Sequence, residues 1–468
     1  QRTKMTLQCR ILKAATLYSF VTKSFAFHAS PKALLNSFPV SRLDGGGGVS
    51  RCLSSLPTEE PGKKELPSDY PNIDRIIPAL SAIRKACRIT MLLQPNTVLS
   101  SISGITKSDT SPVTIGDFAA QAIVLNILNE AFDGQDIFVA EEGSSNLVSD
   151  KGDLSNEILD VFKKCGLGEI ISDADDLKRS IDLGQTYTSD GKLQKSVIEK
   201  QELYVGSDGK KRTWCLDPID GTRGFLRGKR EGGQYCIALA LMEDGVPTIG
   251  ILACPNLPSS TSDDNYEWLE DETEANNILT RGCIFVASRG GGCYQLPLFA
   301  QMDIATNNGD ESTVGANKIN VTQNDGKGSV PLNQARFCIG VEKYGDPEGK
   351  VSAIAKKIHG ELDELGDILS KYTRRMDSQV KYGVAARGGA EIITRLPKKS
   401  YVEWIWDHAA GRVVIEEAGG LQTDVNGDLI NYGKGAKMDP DVDGILISSG
   451  GLFHKQLLKA YKEQEAER

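Results

Sequence analysis

The chain has 468 residues, 40% of them hydrophobic and 25% charged, so it can bury a large core over roughly two or three domains. Its net charge of −9 argues against nucleic-acid binding through a basic face, and no apolar run reaches membrane-spanning length. Ten cysteines without a CxxC pair argue against a zinc ribbon, and four histidines supply little material for a His-dependent triad. Chemistry based on carboxylates and metal ions is therefore favoured.

Residues 1–43 contain Lys and Arg but no Asp or Glu, and they are rich in Ser, Thr and small residues. This composition is typical of an organellar transit peptide, so we expect delivery to a chloroplast or mitochondrion. Two alternatives are the core of a signal sequence at 14–21 and a disordered basic tail. Glycines at 45–48 and the Pro-, Glu- and Lys-containing stretch that follows predict a linker, so residues 1–66 are expected to be disordered.

The stretch from 67 to 257 is predicted to form an N-terminal α+β domain. Apolar residues at helical spacing predict a helix over 73–93, and a second helix is predicted over 118–132, with Asp117 at its start. A glycine-containing turn at 243–245 between two apolar runs predicts a β-hairpin. The predicted strands are 137–140, 234–242 and 246–253.

The stretch from 258 to 468 is predicted to form a C-terminal α/β domain, because strand and helix patterns alternate along it. Prolines between Pro255 and Pro258 mark the expected boundary between the two domains. The predicted strands are 283–287, 293–296, 337–341, 380–386 and 445–448. The predicted helices are 351–369, 408–418 and the stretch from Phe453 onward.

The stretch 214–228 carries the strongest chemical signal. An apolar run, predicted to end a buried strand, is followed by Asp217 and Asp220 on either side of Pro218 and one further residue. Pro218 fixes its own φ and biases Asp217 away from helical conformation. Both acidic side chains should therefore project from a rigid bend of the backbone. Two carboxylates before a Gly-Thr turn suit hard divalent cations plus a phosphate. The alternative is an ordinary strand-to-turn junction.

Further acids lie at the ends of predicted elements. Asp117 and Asp407 each precede a predicted helix, and Glu141-Glu142 follows a predicted strand. Taken singly, an Asp at a helix start is a normal N-cap, and a Glu pair after a strand is a solvated strand end. Their combination and order favour a shared site instead.

Two motifs carry a family resemblance: Asp-Pro-Ile-Asp-Gly-Thr at 217–222 and Trp-Asp-His-Ala-Ala-Gly at 406–411, with Glu141-Glu142 as a third element. From about residue 75 to about 465, the chain resembles the lithium-sensitive, magnesium-dependent phosphatase superfamily that includes inositol monophosphatase. The resemblance implies a layered αβαβα sandwich of the inositol monophosphatase and fructose bisphosphatase type. It implies a metal site in the N-terminal domain and substrate-binding residues in the C-terminal domain.

Other stretches are similar to the 3′(2′),5′-bisphosphate nucleotidase subfamily: 111–121, 224–228, and 377–382 with Arg395-Leu-Pro beyond it. This resemblance implies removal of the 3′-phosphate of 3′-phosphoadenosine 5′-phosphate, which leaves AMP and phosphate, and hence a role in sulfur assimilation. The 5′-phosphosulfate analogue is a second implied substrate. The resemblance also implies a monomer.

The resemblance implies two to three bound Mg²⁺ ions. Glu141, Asp217 and the carbonyl of Ile219 would hold one ion, and Glu141 would also reach a third, water-rich ion. Asp217 would bridge to the second ion, which Asp220 and Asp407 would complete. An all-oxygen ligand set of this kind suits magnesium.

The catalytic and substrate-binding residues also follow from the resemblance. Thr222, hydrogen-bonded to Asp117, would orient and deprotonate a metal-activated water for in-line attack on the phosphorus. The N–H groups of Gly221 and Thr222 would hold phosphate oxygens. The implied nucleotide-binding residues are Ser378, near the sugar, and Lys381 and Arg395, at the 5′-phosphate. The alternative for these three is a solvated basic strand edge.

Two departures from the family pattern concern substrate preference. The loop at 228–232 is a few residues longer than usual and adds Lys229 and Arg230 near the expected mouth of the site. After Glu342, a histidine expected to contact substrate is replaced, and Tyr344 could stack on adenine in its place. An inositol polyphosphate 1-phosphatase or a dual-substrate enzyme is therefore an alternative. A catalytically inactive nucleotide sensor would lack a metal acid or Thr222, and none is missing.

Overall fold

The computed structural model describes most of the chain from Glu65 onward. The described residues are 65–94, 105–106, 112–149, 152–203, 205–206, 208–228, 232–259, 281–299, 316–322, 330–341, 349–360, 372–399 and 401–468. The predicted transit peptide, and the predicted linker as far as residue 64, lie outside them. The last two residues assigned to the linker are packed, because Leu66 is buried and Glu65 forms an ion pair with Arg84 (2.8 Å).

The strands, in chain order, are β1 (Ile105–Thr106), β2 (Pro112–Val113), β3 (Ile137–Ala140), β4 (Val148–Ser149), β5 (Gly152–Asp153), β6 (Arg212–Asp220), β7 (Cys236–Glu243), β8 (Val246–Pro258), β9 (Arg281–Ser288), β10 (Gly292–Pro297), β11 (Asn317–Ile319), β12 (Phe337–Ile339), β13 (Thr373–Arg375), β14 (Ile392–Arg395), β15 (Leu421–Asp424) and β16 (Ile445–Ser448). The α-helices are α1 (Ile73–Leu93), α2 (Ile115–Ala131), α3 (Ser155–Lys164), α4 (Ala174–Asp182), α5 (Lys195–Leu203), α6 (Thr222–Arg227), α7 (Lys350–His359), α8 (Val380–Ala386), α9 (Ala409–Glu417) and α10 (Gly451–Ala466). Short 3₁₀ turns lie at Ser144–Leu147, Leu332–Gln334 and Ile405–Asp407.

The first sheet has seven strands in the order β11-β10-β9-β8-β7-β6-β3. Its neighbours are antiparallel except for β3 and β6, which run parallel. The predicted hairpin between β7 and β8 is confirmed, and Asp244 and Gly245 take positive φ angles of 50° and 79° there. Such a turn matches the twist of the paired strands. The sheet takes strands from both sides of the expected boundary at residue 257, so the division into two domains stays a prediction.

The second sheet has five strands in the order β13-β12-β14-β16-β15. Strand β12 runs parallel to both β13 and β14, whereas β16 is antiparallel to β14 and β15. It is therefore a mixed sheet, in agreement with the predicted α/β character of this half.

Three buried apolar clusters hold five layers together. The first joins α1 and α2 to one face of the first sheet, and the second fills the space between the two sheets around α8 and α9. The third lies between the second sheet and the outer helices α7 and α10. The order is therefore helices, sheet, helices, sheet, helices, and the predicted αβαβα sandwich is confirmed. Within the described ranges, no helix has the length and apolar character needed to cross a membrane.

One expectation about a single element is wrong. The stretch 380–386, predicted as a strand, is helix α8 and is buried on nearly all sides, so its apolar run carries no usable periodicity. Gly383 lets this helix lie against the ring of Phe285, because a Cβ would meet that ring at 2.3 Å. Pro255 and Pro258, which mark the expected domain boundary, lie in β8, where the register with β9 is irregular, and such irregularities tolerate proline within a sheet.

Candidate active site

The central motif forms the end of β6 and the start of α6. The pairing of β6 with β7 is irregular between Asp217 and Asp220, where Pro218 interrupts the ladder. The buried Asp217 side chain accepts a hydrogen bond from the amide of Ile219 (3.1 Å). Gly221 then adopts φ 88°, and a Cβ there would lie 2.8 Å from the Cβ of Ser378. The bend and the following helical turn predicted from the motif are both present.

Glu141 reaches the motif because β3 lies parallel to β6. Ala140 is in register with Leu216, so the next residue of each strand, Glu141 and Asp217, emerges at the same edge of the sheet. Asp407 comes from the 3₁₀ turn that precedes α9 and packs against β6. Side chains from three distant parts of the sequence therefore meet at one edge.

The four acids lie near enough to one another for their charges to interact. Burial first, and then the charges of Glu141, Asp220 and Asp407, raise the pKa of Asp217 well above its usual range. The pKa of Asp407 is also raised well above its usual range, by burial and then by Glu403, Asp220 and Glu141. Like charges raise carboxyl pKa values only when they lie near one another. The structure thus brings together the four acids predicted to bind metal.

Asp220 has several stabilising neighbours. Its Oδ2 accepts a hydrogen bond from the backbone N–H of Gln379. Burial raises the pKa of Asp220, while Lys381, the Gln379 hydrogen bond and His408 act in the opposite direction. This carboxyl is therefore partly balanced by the chain itself, unlike Asp217.

The donor set fits a hard divalent cation. It consists of four carboxylates and the carbonyl of Ile219, which now accepts the Thr222 hydroxyl (3.3 Å). Oxygen ligands of this kind suit Mg²⁺, Ca²⁺ or Mn²⁺ rather than thiophilic metals. A cation placed among these acids would also offset their mutual repulsion.

A tighter group of possible ligands lies beside this set. The ligand atoms of Glu403, Asp407 and His408 lie within 4.8 Å of one another. No three of the four predicted acids approach that closely in the described part of the chain. Glu403 already has partners, since it accepts hydrogen bonds from Arg395 (2.7 Å) and lies 3.4 Å from His408 Nε2. Burial alone would raise its pKa, but Arg395 and His408 lower the pKa of Glu403 to about 2.

Asp117 lies in the first turn of α2, next to the motif. Its Oδ2 accepts hydrogen bonds from the Thr114 amide (2.8 Å) and hydroxyl (2.7 Å). Together with the Gly116 amide on Thr114 Oγ1 (3.1 Å), these bonds form a capping box, in which Thr114 is the N-cap. A Cβ on Gly116 would lie 3.0 Å from Ile219 Cδ1, so this turn packs against the bend. The hydrogen bond between Asp117 and Thr222 stays a prediction.

The predicted nucleotide-binding residues flank the acids. Ser378 adopts φ 65°, and the Lys381 ammonium donates to its carbonyl (2.5 Å). Arg395, at the end of β14, is half-buried and paired with Glu403. Lys381 and Arg395 oppose the rise in pKa of Asp220 and Asp407 respectively, so both cations lie near the acid cluster rather than on a solvated strand edge.

Sequence reasoning missed several residues that hold the site together. Asp377 accepts a hydrogen bond from Arg227 (2.6 Å), which ties α6 to the segment that carries Ser378. Gln379 contacts Asp220 and Trp406, and Glu403 contacts His408, the residue after Asp407. Gln379 and Arg227 lie inside stretches used for the family resemblance, but no local pattern distinguishes a residue whose partner is far away in sequence. Lys229, Arg230 and Tyr344, named for the two family departures, lie outside the described residues.

Comparison with known proteins supports the same conclusion. The model of the inositol monophosphatase family matches residues 169–466. A 3′(2′),5′-bisphosphate nucleotidase of Schizosaccharomyces pombe is 33% identical over 380 residues, which are 81% of this chain and 92% of that protein. Its counterpart in Emericella nidulans is 36% identical and covers 74% of this chain and 87% of that protein. A protein of the same name from Dictyostelium discoideum is 32% identical, over 82% of this chain and 95% of that protein.

Members of this family are generally metal-dependent, in keeping with the oxygen ligands described above. The resemblance inferred from the motifs at 217–222 and 406–411 is confirmed by these matches. The chain belongs to the inositol monophosphatase family.

Proposed function

We propose that this chain is a magnesium-dependent 3′(2′),5′-bisphosphate nucleotidase that converts 3′-phosphoadenosine 5′-phosphate into AMP and phosphate, with the 5′-phosphosulfate analogue as a second substrate. The observation that carries the proposal is the meeting of four carboxylates and the Ile219 carbonyl beside two half-buried cationic residues, Lys381 and Arg395. Relatives named as such nucleotidases support the substrate. We propose that the enzyme acts as a monomer.

In this proposal, Glu141, Asp217 and the Ile219 carbonyl would hold one Mg²⁺, and Asp217, Asp220 and Asp407 would hold a second. Glu141 would also reach a third ion. When bound, the ions neutralise phosphate charge and lower the pKa of the attacking water. Magnesium keeps several waters, so few protein ligands for each ion are sufficient.

Thr222 and Asp117 would move the proton of the attacking water. The Thr222 hydroxyl now donates to the Ile219 carbonyl (3.3 Å). Turning it towards Asp117 would free that carbonyl as a ligand and let the hydroxyl pass a proton to the carboxylate. The N–H groups of Gly221 and Thr222 would orient phosphate oxygens, so positioning and charge stabilisation account for most of the rate.

Lys381, Arg395 and Ser378 would select a substrate with a second phosphate. Lys381 now donates to backbone carbonyls and Arg395 pairs with Glu403, so each cation is held in place before substrate arrives. A 5′-phosphate could accept hydrogen bonds from both, because each retains further donors. Ser378 would contact the sugar between the two phosphates.

The test compares substrates side by side with the purified full chain and Mg²⁺. We expect 3′-phosphoadenosine 5′-phosphate to be hydrolysed with a higher kcat/KM than inositol 1,4-bisphosphate. A preference for the inositol compound would favour the inositol polyphosphate 1-phosphatase alternative. Binding of the nucleotide without phosphate release would favour the inactive sensor.

The location of the enzyme is a separate proposal. We propose that residues 1–43 direct the protein to a chloroplast or mitochondrion, on the strength of their basic, acid-free composition. A fluorescent protein fused behind residues 1–66 should accumulate in one of these organelles. Fluorescence spread through the cytosol, or secreted, would contradict this proposal.

A further inference from the structure

One buried side chain joins the two segments that carry the acids of the proposed second cation. Gln379 is buried, and its Nε2 donates a hydrogen bond to the carbonyl of Trp406 (2.8 Å). Its Oε1 accepts one from the N–H of Gly411 (3.0 Å), while its own backbone N–H donates to Asp220 Oδ2. The two side-chain bonds lie on either side of Asp407, which directly follows Trp406.

We propose that Gln379 is a positioning residue that sets the separation of Asp220 and Asp407 and thereby the affinity of the site for a divalent cation. The inference rests on the proposed metal-dependent function. Asp220 belongs to the bend after β6 and Asp407 to the turn before α9, so two separate elements supply the acids. Gln379 contacts both elements at once, and a shift at either end would be passed to the other carboxylate.

The chemistry of the position requires a neutral amide. The Trp406 carbonyl needs a donor and the Gly411 N–H needs an acceptor, and only a primary amide offers both on a side chain of this length. An apolar replacement would leave both backbone groups unpaired in a buried place. A glutamate could serve Gly411 but not Trp406, and it would add a negative charge beside Asp220 and Asp407.

The preceding residue fixes where this amide lies. Ser378 adopts φ 65°, and its Oγ accepts the amide of Val380 (3.1 Å), so the chain turns sharply before α8 begins. Gly221 is packed against Ser378, which anchors the turn to the start of α6. Gln379 is therefore presented from a rigid turn, and rigid support is what a ligand-positioning residue requires.

The test is a titration of the full chain with Mn²⁺ in the absence of substrate, in which electron paramagnetic resonance measures Mn²⁺ binding. Gln379→Met should weaken Mn²⁺ binding by about tenfold, since loss of a buried hydrogen-bond pair is of that order. In activity assays the Mg²⁺ concentration for half-maximal rate should rise, whereas kcat at saturating Mg²⁺ should largely recover. A purely structural role would lower stability without moving the metal affinity.

Gln295→Met is the matched control. Gln295 is also a buried glutamine, but it lies in β10, away from the acids. Its Nε2 donates to the Ser259 carbonyl (2.6 Å), and its Oε1 accepts a hydrogen bond from Arg387 (3.3 Å). Gln295→Met should lose about as much stability as Gln379→Met, and its Mn²⁺ affinity should equal that of the wild type. Equal Mn²⁺ affinity in Gln379→Met and wild type would overturn the inference, as would an equal loss in both variants.

A second variant keeps the test decisive if Gln379→Met fails to fold. Gln379→Asn retains the amide but is one methylene shorter, so it should reach only one partner and bind Mn²⁺ with intermediate affinity. Wild-type affinity in Gln379→Asn would then overturn the inference. If the wild type binds Mn²⁺ but hydrolyses no bisphosphorylated nucleotide, the proposed substrate fails while the positioning role is still tested. If it binds no Mn²⁺, both fail.

Discussion

Buried carboxylates in this molecule have two contrasting kinds of neighbour. Glu391, which is fully buried, accepts hydrogen bonds from Arg336 Nη2 (2.6 Å), from Arg336 Nε (3.1 Å) and from the Thr322 hydroxyl (2.8 Å). Asp217 and Asp407 instead have other carboxylates as leading charged neighbours. In the first arrangement, a cationic side chain of the protein neutralises the carboxylate. In the second, we expect bound cations to neutralise the carboxylates.

The contrast separates stability from function. A buried charge with its partner in place tolerates no loss of that partner, because the remaining charge would stay desolvated. Buried acids that repel one another destabilise the fold, and such groups in a cleft mark functional sites. The acid cluster is therefore expected to weaken the protein without cations and to gain stability with them.

Replacing the central acid should give the largest effect. Asp217→Asn removes the carboxylate proposed to bridge both ions, and we expect phosphate release from 3′-phosphoadenosine 5′-phosphate to fall by roughly 10³-fold or more. In metal-free buffer the same variant should unfold at an equal or higher urea concentration, because one repelling charge is gone. Unchanged activity would refute the assignment of Asp217 as a ligand.

The opposite result is expected at the balanced carboxylate. Glu391→Ala leaves Arg336 without its ion-pair partner and should lower the free energy of unfolding by about 3 kcal/mol, measured by urea denaturation. Its Mn²⁺ affinity should match the wild type, since Glu391 lies outside the acid cluster. Weakened metal binding in a folded Glu391→Ala protein would show that the two groups are not independent.

A buried histidine provides a third case, because among the described residues no charged group contributes to the shift of its pKa. His454 is hydrogen-bonded to Thr423 Oγ1 (3.0 Å) and Ser448 Oγ (3.0 Å), and burial lowers its pKa to about 4. The folded state thus favours neutral His454, while the unfolded chain binds a proton near pH 6.5. The contribution of neutral His454 to the free energy of unfolding is therefore present above pH 6.5 and is lost as the pH falls towards 4.

The effect can be isolated by comparison with a variant. Between pH 7 and pH 5, the wild type should lose about 2 kcal/mol more unfolding free energy than His454→Gln. Urea denaturation at the two pH values measures the difference. Equal losses in the two proteins would mean that His454 titrates normally in the folded state.

The predictable part of the site is the part encoded locally. Pro218 and Gly221 dictate the bend that presents Asp217 and Asp220, so the geometry of this motif followed from the residues themselves. The meeting with Glu141 and Asp407 did not follow from spacing. It depends on parallel pairing of β3 with β6 and on the packing of the turn before α9. The sequence indicated it only through the combination and order of the acids and the family resemblance that they carry.

The missed features share a physical cause, which is that they depend on tertiary contacts. Helix α8 is almost wholly buried, so its Val- and Tyr-containing run resembled a strand. Arg227 and Asp377 lie 150 positions apart in sequence, and Gln379 and Trp406 lie 27 apart. Neither pair leaves a local pattern. The capping box at Thr114, by contrast, is a local pattern, yet the sequence reading placed the helix start at Asp117.

The smallest expected effect tests whether Lys381 contacts the substrate or acts through the metal-binding acids. Lys381→Met should raise KM for 3′-phosphoadenosine 5′-phosphate by about tenfold, as expected for loss of one charge-assisted hydrogen bond to phosphate. KM for adenosine 3′-monophosphate, which lacks the 5′-phosphate, should change little if that phosphate is the partner of Lys381. An equal rise for both nucleotides would mean that Lys381 acts through Asp220, whose pKa it lowers, and that its role belongs to the metal site.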